Sequence, residues 1–168
     1  DPDFNKSGGY KKTTLTEMKA DGVYKIIGGE MEKLHKSGNK NYAQSCALKL
    51  SIALIKCGFT LPKREGMNNE GKGVILSVKD MIAYLSRKDI LRESTVHLDA
   101  SKQKLDRTTI WNSFSQKRGI LIFVPKDPSR FGATGHVTIY SYSKYVNQEF
   151  VPHMYLDDPM QHVYFWSF

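Results

Sequence analysis

The stretch "NYAQSCALKLSIALIKCG", residues 41–58, decides how the rest of the chain is read. Its pattern predicts a helix from about residue 43 to residue 57. Asn41 or Ser45 can cap its start, and Gly58 suits its C-terminal cap. The apolar positions Ala47, Leu48, Leu50, Ile52, Ala53, Leu54 and Ile55 cover much more than one stripe. Such a helix is expected to be buried on most sides and to sit at the centre of the fold. Both cysteines of the chain lie in it. At about 1.5 Å of rise per residue, Cys46 and Cys57 stand roughly 16 Å apart, whereas a disulfide needs Cα atoms within about 7 Å. They cannot pair with each other. Cys57 reads as core packing. Cys46, in the first turn, meets free N–H groups and the positive end of the helix dipole, which favour a thiolate and can hold an oxyanion. A small buried cysteine with no chemical role is the plainer alternative.

Upstream, residues 1–14 read as a loose lead-in, and residues 15–168 as one domain, in keeping with a chain of 168 residues. From Thr16 to His35 a helical period puts Val23, Ile26, Ile27, Met31 and Leu34 on one face. Gly28 and Gly29 interrupt it and suggest close approach of another element. Downstream, "TLPKREGMNNEGKG" is a loop. Ser77 caps a short helix with Val78, Met81, Ile82 and Leu85 inward, and Asp106 caps another carrying Ile110, Trp111 and Phe114. Residues 86–105 give no clear pattern. The character then changes. "GILIFVP" reads as a buried strand, "PKDPSRFGATG" as a loop, and "HVTIYSY" and "EFVPHMYLDD" as the two strands of one hairpin. "HVYFWSF" closes the chain as a further strand. Helices followed by an antiparallel sheet argue an α+β fold.

The formal net charge is +8 and the sequence pI is near 9.4. Such charge suits an anionic partner: nucleic acid, an anionic membrane surface or an acidic polymer such as a cell wall. The basic residues are scattered (Lys11, Lys12, Lys63, Arg64, Arg87, Lys88, Lys117, Arg118), and no nucleic-acid-binding motif accompanies them, which disfavours nucleic acid. No apolar run is long enough to span a bilayer. The polar N-terminal residues lack the apolar segment of a signal peptide. There is no CxxC, HExxH, GxGxxG or P-loop, so neither a metal nor a cofactor is expected.

A thiol nucleophile needs a base, usually imidazole. His136 follows "GATG" and opens a β-rich strand, where it can face a cleft while its neighbours pack. His35, at a helix end, reads as a surface or capping residue. A base is usually oriented by a third polar group. A turn centred at Lys144–Tyr145 sets His153 opposite His136. A slip of two residues, to Val146–Asn147, sets Asp157 there instead. Period 2 keeps His153, Tyr155 and Asp157 on one face and turns Asp158 to the other. The residues leave both His153 and Asp157 as candidates.

These segments resemble a known family. "KIIGGEMEKL" with "NYAQSCALKLSIALIKCGFTLP", then "KRGILIFV" with "ATGHVTIYS", and "VYFWSF" at the end, are similar in kind and order to the fourth family of type VI secretion amidase effectors. The likeness runs from about residue 23 to residue 168, with the middle poorly matched. It implies a papain-like fold of the NlpC/P60 type. It also implies a cysteine amidase that cuts the D-glutamyl–diaminopimelate bond of peptidoglycan stem peptides, with Cys46 as nucleophile and His136 as base. Gln44 stands where the family often has Asn and is a candidate oxyanion donor. "SYSKYVNQEFVP" is longer than the corresponding loop, so the family's Asp after the His strand has no unique counterpart, and related NlpC/P60 enzymes often use His, which favours His153 slightly. The resemblance further implies secretion, action in the periplasm of a target bacterium, and a cognate immunity protein. A papain-like protease or deamidase acting on proteins, or a non-enzymatic basic binding domain, are the rival readings.

Overall fold

A computed structural model describes residues 18–39, 42–114, 116–141 and 158–168. The lead-in expected over residues 1–14, and the strand expected over residues 149–158 with all but its last residue, lie outside the described residues. Among the described residues, six helices, α1 (Ala20–Ile27), α2 (Gly29–Lys36), α3 (Cys46–Lys56), α4 (Val78–Leu85), α5 (Arg107–Phe114) and the single turn α6 (Pro128–Phe131), accompany four strands, β1 (Val96–Asp99), β2 (Arg118–Pro125), β3 (His136–Ser141) and β4 (Met160–Ser167). The strands form one sheet in the order β1-β4-β2-β3, with every neighbouring pair antiparallel. The class is α+β, as the order of patterns predicts.

The run "GILIFV" alternates between two apolar layers, which explains why it reads as continuously hydrophobic. Ile120 and Ile122 join Trp166 and Val137 beneath α3 and α4. Leu121 and Phe123 join Val163, Phe165 and Tyr140 against α5. α3 is itself shared between layers. Ala47, Leu50 and Leu54 face the sheet side, while Leu48 and Ile52 pack with Val23, Tyr24, Ile27 and Met31 of α1 and α2. The central helix is thus buried on two sides, as its wide apolar surface demands. Its one buried hydroxyl is satisfied: Ser51 Oγ lies 3.0 Å from Ala47 O and accepts from Ile75 N at 3.0 Å. Removing that hydroxyl would leave the buried Ile75 N–H unpaired, at about 1–3 kcal/mol.

Several local expectations change in detail. Ala43, Gln44 and Ser45 are not helical. Ser45 is the N-cap and Cys46 the first helical residue. At the other end Gly58, at φ +87, supplies the left-handed turn, with Gly58 N donating to Ile55 O and Phe59 N to Leu54 O. Cys57 is the C-cap, exposed there, and is not core packing. Upstream, the helix breaks at Gly28 (φ +65), so the single apolar face expected over residues 16–35 does not persist. Tyr24 is fully buried and Ile26 is 47% exposed. The glycine pair does allow close approach: a Cβ on Gly28 would stand 3.4 Å from Asn69, whose N–H bonds Ile27 O. Ser77 and Asp106 cap α4 and α5 as expected, accepting from Asp80 N and Thr109 N. β1, in the stretch that gave no pattern, is a short strand bordering β4.

Candidate active site

α3 lies against β3, and this contact positions the two residues singled out by sequence. Cys46 opens α3 and is partly buried. Its N-cap, Ser45, makes no side-chain capping bond, so the Ser45 hydroxyl does not cover the N–H groups of the first turn. His136 opens β3, paired with Phe123 of β2. The chain arrives there through Gly132, at φ +77 after α6, and Gly135, which is buried. Gly135 is required by space. A Cβ would stand 2.7 Å from Phe123 O and 2.9 Å from Val78 Cγ1. The start of β3 is therefore clamped between the sheet and α4, one residue before His136.

Burial holds the His136 imidazole well below its ordinary value, at about 4, and the positive charge of Lys49 adds to the effect. The ring is neutral at physiological pH and able to accept a proton. Lys49, three residues after Cys46 on α3, is partly buried, which lowers its own pKa, while the charge of Cys46 opposes that lowering. One ammonium thus acts on both Cys46 and His136. It favours a neutral ring at His136. Sequence reasoning passed over Lys49. Its signal is a lysine one turn along a helix whose other positions are largely apolar.

Gln44 lies in the extended approach to α3. Its side-chain Nε2 donates to Gly132 O at 3.5 Å, linking the segment before Cys46 to the loop before His136. Its carbonyl accepts from the Tyr24 hydroxyl at 3.2 Å. His153 and Asp157, the two candidates for the group that orients His136, lie outside the described residues. Asp158, expected to face away from them, pairs with Arg130 Nε of α6 at 2.9 Å. His35 is not a free surface group or a cap. It bridges α1 and the turn at Tyr42.

Among the described residues no helix is long and apolar enough to cross a membrane. No group of three His, Cys, Asp or Glu side chains among them is placed to hold a metal ion.

Comparison with known proteins agrees with this picture. No curated protein matches the chain. Among solved structures, the effector of the Tae4–Tai4 effector–immunity complex from Enterobacter cloacae is 22% identical, with a TM-score of 0.65 and 89% of each chain covered. The corresponding complex from Salmonella Typhimurium gives 20% identity and a TM-score of 0.64, covering 89% of this chain and 88% of that one. The Salmonella effector bound to the Enterobacter immunity protein gives 21%, 0.65, and 90% and 91%. At these identities the likeness is one of fold. The family model described as type VI secretion system amidase effector protein 4 (Tae4) matches residues 42–166, from just before the Cys46 helix to the last strand. The chain therefore belongs to the Tae4 family of type VI secretion amidase effectors.

Proposed function

We propose that this effector is a cysteine amidase of peptidoglycan, with a papain-like fold of the NlpC/P60 type and its catalytic domain over residues 15–168. It cuts the D-glutamyl–diaminopimelate amide of the stem peptide. The observation that carries the reading is Cys46 at the first position of a buried helix seated against the strand that His136 opens, with Lys49 acting on both. His136, neutral at rest, takes the thiol proton as Cys46 attacks the amide carbonyl. This departs from a preformed thiolate–imidazolium pair, because a ring held near 4 does not keep a proton at neutral pH. The tetrahedral oxyanion is held by the N–H groups of the first turn of α3 and by the Gln44 carboxamide. His136 then protonates the leaving amine, and water hydrolyses the thioester. His153 or Asp157 orients His136.

The net charge of +8 suits a carboxylate-bearing wall polymer. Delivery to the periplasm of a target bacterium and neutralisation by an immunity protein in the producer follow from the family. The test is Cys46→Ala on purified muropeptides. Loss of cleavage at an unchanged melting temperature is expected, with the parent releasing products split between D-glutamate and diaminopimelate. Retained cleavage by the variant, or a different scissile bond in the parent, would overturn the corresponding part of the reading.

A further inference from the structure

The segment that delivers Cys46 is held by a group outside the reaction just described. Tyr24 is fully buried in α1, and its hydroxyl donates to the Gln44 carbonyl. Burial, with smaller contributions from Tyr42 and Cys46, pushes this phenol up to about 12, so it stays a donor across the working range. The His35 ring lies flat on Tyr24, with centroids 4.3 Å apart and planes 5° from parallel. His35 Nδ1 is 2.7 Å from the Tyr42 carbonyl, and Nε2 is 2.6 Å from Asp21 Oδ1.

Both neighbours of the ring nitrogens are acceptors, a carbonyl and a carboxylate. A neutral imidazole carries one N–H and can serve only one of them, whereas the imidazolium serves both. Among the described residues, the titratable groups in contact with this ring are Asp21 and Tyr24 from α1, and the Tyr42 ring, from the turn before α3, stands edge-on to Tyr24 at 6.3 Å.

We propose that His35, as an imidazolium paired with Asp21, is a positioning residue for the nucleophile: it fixes the Tyr42 carbonyl directly and the Gln44 carbonyl through Tyr24, and so sets the path of the chain into Cys46. This rests on Cys46 being the nucleophile. Placement matters because a displacement of about 1 Å in a reacting group can change a rate by about a hundredfold. The bond to Asp21, followed by that to the Tyr42 carbonyl, raises the His35 pKa above its ordinary 6.5. A raised value means the doubly bonded form is complete at lower pH and is lost as pH rises through the raised value. The effect therefore appears on the alkaline side, whereas protonation of His136, at about 4, acts on the acid side.

The test uses the full chain, Asp21→Asn and His35→Gln, with kcat and KM for muropeptide cleavage measured from about pH 5.5 to pH 9. In parallel, iodoacetamide labelling of Cys46 is measured against Cys57. Trypsin places these on separate peptides, "NYAQSCALK" and "CGFTLPK", so Cys57 serves as an internal reference. Asp21→Asn is expected to move the alkaline fall in kcat down by about half a pH unit with KM unchanged, as befits an exposed ion pair. His35→Gln is expected to lower kcat about five- to tenfold near pH 6 and to remove that fall. The ratio of Cys46 to Cys57 labelling should change in both variants. Identical profiles and ratios at equal melting temperatures would overturn the proposal. If His35→Gln does not fold, Asp21→Asn carries the test, since the Asp21 side chain is 92% exposed. Cleavage retained in Cys46→Ala would be a separate failure, that of the nucleophile assignment.

Discussion

Acidification should destabilise this protein through one identifiable residue. His136 is partly buried at the start of β3, and desolvation holds its imidazole at about 4 against an ordinary value of 6.5. Above pH 6.5 the ring is neutral both folded and unfolded, and it contributes nothing to the pH dependence. As pH falls below 6.5, the unfolded chain binds a proton that the folded one refuses, so stability is lost until the folded ring also titrates near 4. At about 1.4 kcal/mol for each pH unit, that gap amounts to up to about 3 kcal/mol. The assay is urea denaturation of the parent and of His136→Gln at a series of pH values between about 4 and 7.5, read as the difference between the two curves. Acidic side chains elsewhere contribute equally to both proteins and cancel. The parent should lose stability relative to the variant as pH falls through this window. Its kcat/KM should fall off on the acid side near pH 4, where the base becomes protonated. A flat difference curve, or an acid limb near 6.5, would refute the argument that burial keeps His136 neutral.

Gly135→Ala should lower stability by about 1–3 kcal/mol, because its Cβ overlaps Phe123 O and Val78 Cγ1. Since β3 must shift at the residue before His136, cleavage should fall by more than thermal melting would suggest, and steady-state kinetics beside calorimetry will show it. Lys49→Met removes the charge that helps keep His136 neutral, so the acid limb of kcat/KM should move to higher pH. A limb that stays in place would remove Lys49 from the site.

The parts of the fold that were legible in the sequence are those whose signals are local. The helix from Cys46 was marked by a nearly continuous apolar run and by Gly58, and α4 and α5 by the caps Ser77 and Asp106. β2 was marked by the five-residue apolar run Ile120 to Val124 between glycine and proline, packed on both faces. Other features depend on partners distant in sequence. Tyr24 stands in the core in place of Ile26 because α1 turns the Val23, Tyr24 and Ile27 face inward. β1 gains its place only by pairing with β4, sixty and more residues later. Cys57 reads as apolar core by residue type, yet the helix end carries it into solvent. At the site, Cys46 and His136 could be singled out from residue type and flanking glycines. His35 and Lys49 could not, because a lysine inside a helix and a histidine at a helix end are common, and only folding puts them beside the segment that carries the thiol.

The central claim is that Cys46 attacks the substrate carbonyl, and trapping the covalent intermediate tests it most directly. The protein is mixed with muropeptide, quenched in acid and digested, and the mass of the "NYAQSCALK" peptide is measured. The account predicts a thioester adduct on Cys46 with the mass of the acyl fragment ending in D-glutamate, absent from the Cys57 peptide and from Cys46→Ala. Turnover with no adduct at any quench time, together with cleavage by Cys46→Ala, would contradict it.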